Sequence, residues 1–299
     1  MSASGNIYDL GYQGYDGPRL GRVAVTVGLL RATLAAAYGI GRGGRAKVVP
    51  FGLAAMALLP AVIVVGITAL VSQAGAGDAL AEASPIRHDS YLSVTSTLIM
   101  LFCAAQAPEL FGKDQRYGVL PLYFSRILTR SDYALARLGG LALAVFLVSV
   151  VPQVVITFGA VLAANDPVTG FADEAADIPR YIASSAFAAA LLTAVAAVIA
   201  AWTPRRAYAT AGIIAVFIVP PIMVAIVSEL AAGDAARFLL FTSVADILEG
   251  LNAAIFGTLA ASPAVLAADF PEWVYLAATT VGIAGGVALV LRRYQGVSG

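Results

Sequence analysis

The residue types that most often do chemistry in proteins are scarce in this chain. It has one histidine, His88, and one cysteine, Cys103. A single cysteine excludes an intramolecular disulfide and a cysteine-rich metal site. A single histidine cannot complete an H-E-x-x-H zinc site or readily support a Ser/His/Asp set. We interpret His88 as a solvated loop residue and Cys103 as a small buried apolar side chain, and we expect neither catalytic residues nor a bound metal.

Nucleotide hydrolysis by this chain alone is not expected either. No G-x-x-x-x-G-K-[ST] phosphate loop occurs in the sequence. The glycine-rich stretch at 41–44 lacks the lysine and hydroxyl of that motif. We interpret it as the end of a helix, because glycine and basic residues favour helix C-termini.

The composition indicates a membrane protein. Hydrophobic residues make up 60% of the 299 residues and charged residues 12%, about half the share of a typical soluble domain. The mean hydropathy is +0.86. Residues 1–18 are polar and rich in tyrosine, so we do not interpret them as a signal peptide.

Hydropathy predicts an all-α membrane protein with six transmembrane helices, because a spanning helix needs roughly 20 mostly apolar residues. The predicted spans are 48–71, 91–106 with a continuation to Phe111, 138–163, 181–202, 207–227 and 273–291. They form a domain over 48–292, between an N-terminal segment (1–47) and a tail (293–299). Proline removes a backbone donor from a helix, so Pro152, Pro220 and Pro221 predict bends; a moving gate is the alternative.

The basic residues predict the orientation. With six spans, all but three of the 18 lysines and arginines lie on one side; the exceptions are Arg87, Arg180 and Arg237. Cytoplasmic loops carry the excess of positive charge. We therefore expect both termini in the cytoplasm, and an odd number of spans would destroy the separation.

Two regions outside the spans are also predicted to be helical. Residues 19–40 form an imperfect amphipathic helix, interrupted by Arg31, that we expect in the cytoplasmic membrane interface. Its apolar face contains Leu20, Val23, Val27, Leu30, Leu34 and Tyr38. The extracellular segment 230–271 has apolar pieces at 238–244 and 251–259, which are too short to span. These indicate re-entrant or interfacial helices between spans five and six; a seventh and an eighth span are the alternative.

The loop between the second and third spans, 110–137, is basic and too apolar for a linker. Residues 120–128 form an apolar stretch containing Tyr123, Phe124 and Arg126, and Ser131 is a good N-cap for the third span. An apolar and aromatic surface rimmed by arginine suits protein docking. A loop held against the membrane by its positive charge explains the composition equally well.

This loop resembles the cytoplasmic loop of ABC-type exporter permeases of the type-2 (type V) group. The residues that carry the resemblance run from Glu109 to Tyr133 in the pattern E-x-x-x-K-D-x-R-x-G-x-L-x-L-x-x-S-R-x-L-x-R-x-x-Y. The N-terminal IYDLGYQGYDGPRLGR looks like the start of permeases from the actinobacterial branch. Ile127 departs from the family, where proline is common.

The resemblance implies a coupling helix that docks into a separate ATPase subunit, which would hold ATP and Mg. The residues it marks for coupling are Glu109, Arg116, Gly118, Leu120, Tyr123, Phe124, Ser125, Arg126, Thr129 and Arg130. It also implies two ATPase copies, a second permease chain, a location in the cell membrane and no nucleic acid. A non-transporting scaffold or membrane anchor for a soluble partner remains the alternative function.

A translocation path requires polar residues within the spans. The candidates are Thr95, Thr97, Gln106, Ser149, Gln153, Pro220 and Pro221. Small polar side chains also form hydrogen bonds between membrane helices, and that alternative stays open for each of them. No charged residue lies in the middle of a predicted span, which argues against a proton-coupled transporter carrying its own carboxylate.

Overall fold

The computed structural model describes residues 17, 21–73, 86–124, 128–164, 166–230 and 234–296, which form helices and short turns without any strand. The helices are α1 (Arg22–Ala37), α2 (Arg45–Gln73), α3 (His88–Ala107), a π-helical turn (Pro108–Gly112), α4 (Lys113–Arg116), α5 (Leu120–Phe124), α6 (Arg130–Ala163), α7 (Pro167–Glu174), α8 (Asp177–Trp202), α9 (Arg206–Leu230), α10 (Asp234–Leu239), a 3₁₀ turn (Leu240–Thr242), α11 (Val244–Phe256), α12 (Pro263–Ala268) and α13 (Glu272–Gln295).

Six of these helices are long and apolar enough to cross a membrane: α2, α3 with its continuation to Arg116, α6, α8, α9 and α13. The predicted number of spans is confirmed, and so is the continuation of the second span past Phe111. Most helices are longer than their predicted spans because hydropathy omits polar end turns. Hydropathy differs most at α6, where the apolar span begins at residue 138 but the helix begins at Arg130, close to the start that the N-cap signal at Ser131 predicts.

The N-cap of α6 is Thr129, so the prediction of Ser131 was wrong. The Thr129 hydroxyl accepts a hydrogen bond from the Asp132 N–H (3.2 Å), and the Asp132 carboxylate accepts one from the Thr129 N–H (3.1 Å). This reciprocal pair is a capping box, which satisfies two otherwise free donors at a helix start.

The bundle has three inner and three outer spans. In the most apolar 18-residue stretch of each helix, 61% is buried in α3 and 56% in α6 and α8. The buried share is only 11% in α2, 17% in α9 and 22% in α13. Small residues allow the inner helices to pack closely. Ala188, Ala196 and Ala197 of α8 are fully buried. The helices α2, α9 and α13 therefore keep apolar faces outside the core of this chain.

Helix α1 packs along α6 with the C-terminal part of its predicted apolar face: Leu34 and Tyr38 pack against the core, and Leu30 lies next to Gly139 of α6. Val23 and Val27 are exposed, whereas Thr33 and Ala37 are buried. The reason is Gly140 of α6: a Cβ atom there would lie 2.6 Å from the Thr33 Cβ, so the absence of a side chain creates the space for α1.

The helix α1 ends in a glycine turn. Gly39 has φ +69°, and the Ile40 N–H donates to the Ala35 carbonyl oxygen (2.9 Å). Next to it, the Tyr38 hydroxyl donates to the Ala144 carbonyl oxygen (2.9 Å). Burial raises the pKa of Tyr38 to about 12, so this hydroxyl keeps its proton at neutral pH.

The described part of segment 230–271 forms the short helices α10, α11 and α12, none of which is long enough to span. The predicted pieces are only partly right, since the longest helix, α11, starts at Val244 and ends before Gly257, which has φ +69°. Helix α6 continues through Pro152, and helix α9 continues through Pro220 and Pro221. Neither helix is therefore interrupted at the positions of the predicted bends.

Side-chain contacts define two ends of the bundle. At the arginine-rich end, Glu109 lies between Arg42 and Arg206, and Arg130 donates to the Gln295 carbonyl oxygen. At the short-helix end, the contacting pairs are His88 with Glu174, Ser93 with Glu249, and Ser184 with Asn252. The start of α2 and the end of α13 therefore lie at the same end, as an even number of spans requires.

Candidate functional site

The predicted loop 110–137 is mostly helical. The π-helical turn and α4 extend α3 to Arg116, and α6 begins at Arg130. Only residues 117–129 connect the two long helices, and they include α5. Hydropathy alone does not extend the two spans into this segment, because Lys113, Arg116 and Arg137 lower it locally, although all three lie on helices.

A buried ion pair fixes α4 to α6. The Arg137 guanidinium contacts the Asp114 carboxylate, and their side chains are 10% and 13% exposed. The Tyr133 hydroxyl donates to the same carboxylate oxygen (2.6 Å), and Arg137 Nε donates to the Tyr133 hydroxyl (3.2 Å). The Tyr294 ring of α13 packs on Tyr133 at 5.3 Å between centroids. The sequence signal for this pair was weak, because an arginine near a predicted helix start resembles an ordinary interfacial residue.

Four of the predicted coupling residues hold the loop to the bundle. Leu120 is buried, and the rings of Tyr123 and Phe124 lie 5.3 Å and 5.9 Å from that of Tyr133. The Arg130 guanidinium lies 5.7 Å from the Phe124 ring centroid and donates to the Gln295 carbonyl oxygen (2.7 Å). These side chains therefore attach α5 to α6 and α13, and Tyr123, Phe124 and Arg130 remain half-buried.

The opposite side of the loop is exposed. Tyr117 and Leu122 are 59% and 69% exposed. Arg116, Gly118 and Pro121 are exposed as well, and Gly118 has φ +64°. We call these five residues the docking patch. Arg116 and Gly118 were predicted coupling residues, and Leu122 is a named position of the loop pattern. Tyr117 and Pro121 were not singled out, since the sequence alone does not show which side of α5 packs on α6.

Four predicted coupling residues remain: Glu109, Ser125, Arg126 and Thr129. Glu109 accepts from Arg42 Nη1 (2.6 Å) and also contacts Arg206 (3.3 Å) and Lys113 (3.9 Å), so one carboxylate joins α3, α9 and the turn after α1. Thr129 caps α6. Ser125 and Arg126 lie outside the described residues.

The structure does not bring the predicted path residues together. Thr95 and Gln106 are buried in α3, whereas Thr97 is exposed on another face of that helix. Ser149 is buried, and its hydroxyl donates to the Ser185 hydroxyl of α8 (2.9 Å). Gln153 is also buried, and its Oε1 lies 2.8 Å from His88 Nδ1. Ser149 and Gln153 make the hydrogen bonds between helices that the alternative describes. A role in transport stays a prediction for all seven residues, including the half-buried Pro220 and Pro221.

The interpretation of His88 as a solvated loop residue was wrong. His88 is 5% exposed and begins α3. Its Nδ1 lies 2.8 Å from Gln153 Oε1, its Nε2 lies 2.9 Å from Glu174 Oε2, and its ring stacks on Tyr181. This histidine therefore connects four helices at the short-helix end. Cys103 is fully buried, as the sequence suggested.

An amphiphilic cavity lies at the short-helix end, between α3, α8 and α11. It is a cavity of about 270 Å³ with the apolar side chains Leu92, Ile99, Met100, Leu192 and Leu248 and the polar side chains Ser93, Ser96, Asp246, Glu249 and Ser262. The Ser93 hydroxyl donates to the Glu249 carboxylate, and the Ser262 hydroxyl donates to Asp246 Oδ1 (2.9 Å). Sequence reasoning missed this site because its two halves lie about 150 residues apart in the chain.

The chain matches no protein-family model, and no curated protein matches it significantly. Within the described ranges, no group of three or more His, Cys, Asp or Glu side chains is placed to hold a metal ion. The features that bear on function are therefore the six apolar helices, the docking patch and the cavity at the short-helix end.

Proposed function

We propose that this multi-pass membrane protein is the permease subunit of an ATP-driven ABC exporter, coupled to a separate ATPase subunit. The observation that carries the proposal is the docking patch: an exposed apolar and basic surface on a segment attached to two spans. Docking surfaces combine an apolar or aromatic centre with arginine, and Leu122, Tyr117 and Arg116 supply those groups.

The contacts of the loop suit it to transmit a displacement into the bundle. The patch is continuous with α3 through α4 and the π-helical turn. It is attached to α6 through Asp114 and Arg137 and through the aromatic contacts of Tyr123 and Phe124 with Tyr133. A force applied at the patch by a partner therefore acts on two inner helices, because close-packed contacts of this kind shift as units.

The assembly is the one that the resemblance of the loop implies. The arginine-rich end faces the cytoplasm, in agreement with the excess of positive charge there, and the short-helix end faces outward. ATP and Mg bind two copies of the partner ATPase. A second permease chain, identical or not, pairs with this one, and the mostly uncovered apolar faces of α2, α9 and α13 are available to it and to lipid.

The proposal is tested by purifying the chain from its native membrane in mild detergent and measuring ATP hydrolysis of the eluate. We expect a phosphate-loop ATPase to copurify at a one-to-one ratio. The variant Leu122→Asp should lose the ATPase and the hydrolysis, because a carboxylate would be buried in the contact. The matched control is Val168→Asp in α7, since Val168 is 76% exposed at the other end.

Two results would overturn the proposal. Recovery of the chain alone, or with partners that do not hydrolyse ATP, would favour a scaffold or membrane anchor. Retention of the ATPase by Leu122→Asp, with both variants folded, would remove the docking patch from the coupling contact.

A further inference from the structure

A groove at the arginine-rich end lies where the end of α3 and α4 meets the start of α9. Its volume is about 750 Å³. Three arginines line it: Arg116, Arg205 and Arg206. The rest of the lining is largely apolar and continues along α9, with Ala105, Ala207, Tyr208, Thr210, Ala211 and Ile214. The groove therefore has a cationic part and an apolar part side by side.

The positive charge around this groove exceeds the negative charge that faces it. Glu109 is the carboxylate that contacts Arg206, and it is shared with Arg42 and Lys113. The carboxylate of the neighbouring Asp114 forms an ion pair with Arg137. Within the part of the chain that the structure describes, Arg116 and Arg205 contact no carboxylate.

The two unneutralised arginines contact aromatic residues instead. Arg116 Nη2 donates to the Tyr117 hydroxyl (2.9 Å), and the Arg205 guanidinium lies 6.0 Å from the Tyr208 ring centroid. These contacts leave most guanidinium N–H groups available to a ligand, because a guanidinium has five donors. The first turn of α9 adds backbone N–H groups that have no partner within the helix, together with the positive end of the helix dipole.

We propose that this groove binds the phosphate headgroup of an anionic phospholipid, with an acyl chain along Ala105, Ala211 and Ile214. Arginine recognises phosphate through paired N–H donors. Basic pockets between transmembrane helices at the cytoplasmic side hold anionic headgroups. The apolar continuation of the groove favours an amphiphile over a small anion. This site goes beyond the exporter function and does not require it.

The test is a titration of the purified full-length chain, in neutral detergent, with fluorescently labelled phosphatidylglycerol and, separately, labelled phosphatidylcholine. Fluorescence anisotropy reports binding. We expect saturable binding of phosphatidylglycerol at least about tenfold tighter than that of phosphatidylcholine, and a weakening with salt because the contact is electrostatic.

Variants of opposite charge sign make the test specific. Arg116→Gln with Arg205→Gln should weaken phosphatidylglycerol binding about tenfold, since charge-assisted hydrogen bonds are lost. Glu109→Gln should tighten it, because a competing carboxylate is neutralised. The control Arg180→Gln removes one charge at the short-helix end, where Arg180 pairs with Asp177, and should change nothing. Size-exclusion profiles establish that each variant is folded.

Three outcomes would overturn the assignment. Equal affinity for the two lipids, or no effect of the paired arginine variants, would mean that the groove does not recognise the headgroup. Displacement of the labelled lipid by inorganic phosphate at similar concentration would identify a free anion as the ligand. Preferential binding of polyglutamate would identify the groove as a contact for an acidic protein segment. None of these results requires an ATPase, so they leave the exporter proposal to its own test.

Discussion

Removal of one partner of the Asp114–Arg137 ion pair should destabilise this protein more than removal of both. The change Asp114→Ala leaves the Arg137 guanidinium buried at 10% exposure, without its counter-charge. It also removes the acceptor of the Tyr133 hydroxyl. The double variant Asp114→Ala with Arg137→Met also removes the uncompensated guanidinium, and the methionine side chain keeps an apolar contact with the Tyr133 ring.

The expected magnitudes follow from burial. Breaking a buried ion pair from one side costs about 3–5 kcal/mol, because the remaining charge is uncompensated. Both side chains here are at most 13% exposed, so little of this is screened by water. We expect Asp114→Ala to lower the free energy of unfolding by about 4 kcal/mol. The double variant should lower the free energy of unfolding by only about 2 kcal/mol. Replacement of a buried pair by apolar residues is often nearly neutral, and the remaining loss arises because the Tyr133 hydroxyl still lacks its acceptor.

The assay is reversible unfolding of the purified chain in mixed micelles, with Arg137→Met measured alone to complete the double-mutant cycle. The matched control is Asp177→Ala, which breaks a pair whose side chains are 46% and 28% exposed. Such pairs are worth about 1 kcal/mol or less. Additive losses, with the double variant as unstable as the sum of the two single variants, would refute the reasoning that the pair acts as a coupled buried unit.

Two further changes test the local packing and capping by thermal stability in the same detergent. Gly140→Ala should lower the free energy of unfolding by about 1–3 kcal/mol, because the new Cβ would lie 2.6 Å from the Thr33 Cβ and close-packed sites tolerate overpacking poorly. The control Gly285→Ala has open space around it and should be neutral or slightly stabilising. Equal losses of stability in the two variants would contradict the packing of α1 on α6. Thr129→Ala should lower the free energy of unfolding by about 1 kcal/mol through loss of the N-cap, whereas Ser131→Ala should lower it by less than half of that. The reverse order would identify Ser131 as the N-cap.

The number of spans could be predicted from the sequence because spanning depends on local composition. A run of about 20 apolar residues forms a helix in a bilayer whatever its neighbours are, since each backbone hydrogen bond closes within the segment. The ends of the helices were predicted less well. Hydropathy alone misses the start of α6 at Arg130, because neither the capping box of Thr129 and Asp132 nor the burial of Arg137 raises it. The N-cap signal near Ser131 placed that start close to its observed position but named the wrong cap.

The loop shows where sequence reasoning is insufficient. Its apolar and aromatic residues indicated a surface for docking, but the sequence does not distinguish the side that packs on the bundle from the side that is exposed. Tyr123 and Phe124 lie against Tyr133, while the preceding residue, Leu122, is exposed. The same limitation applied to His88, whose partners Gln153 and Glu174 are 65 and 86 residues away.

The sequence by itself determined that this chain is a helical membrane protein with six apolar spans and basic residues concentrated on one side. These properties are sums over local composition, and the bilayer imposes the helical state on each span separately. Tertiary structure alone decided which charges are paired, which side of the loop is exposed, and where cationic and apolar surfaces meet in one groove. Those features depend on contacts between residues far apart in the chain, such as Asp114 with Arg137 and Glu109 with Arg206, and packing geometry selects them from many combinations that the sequence allows.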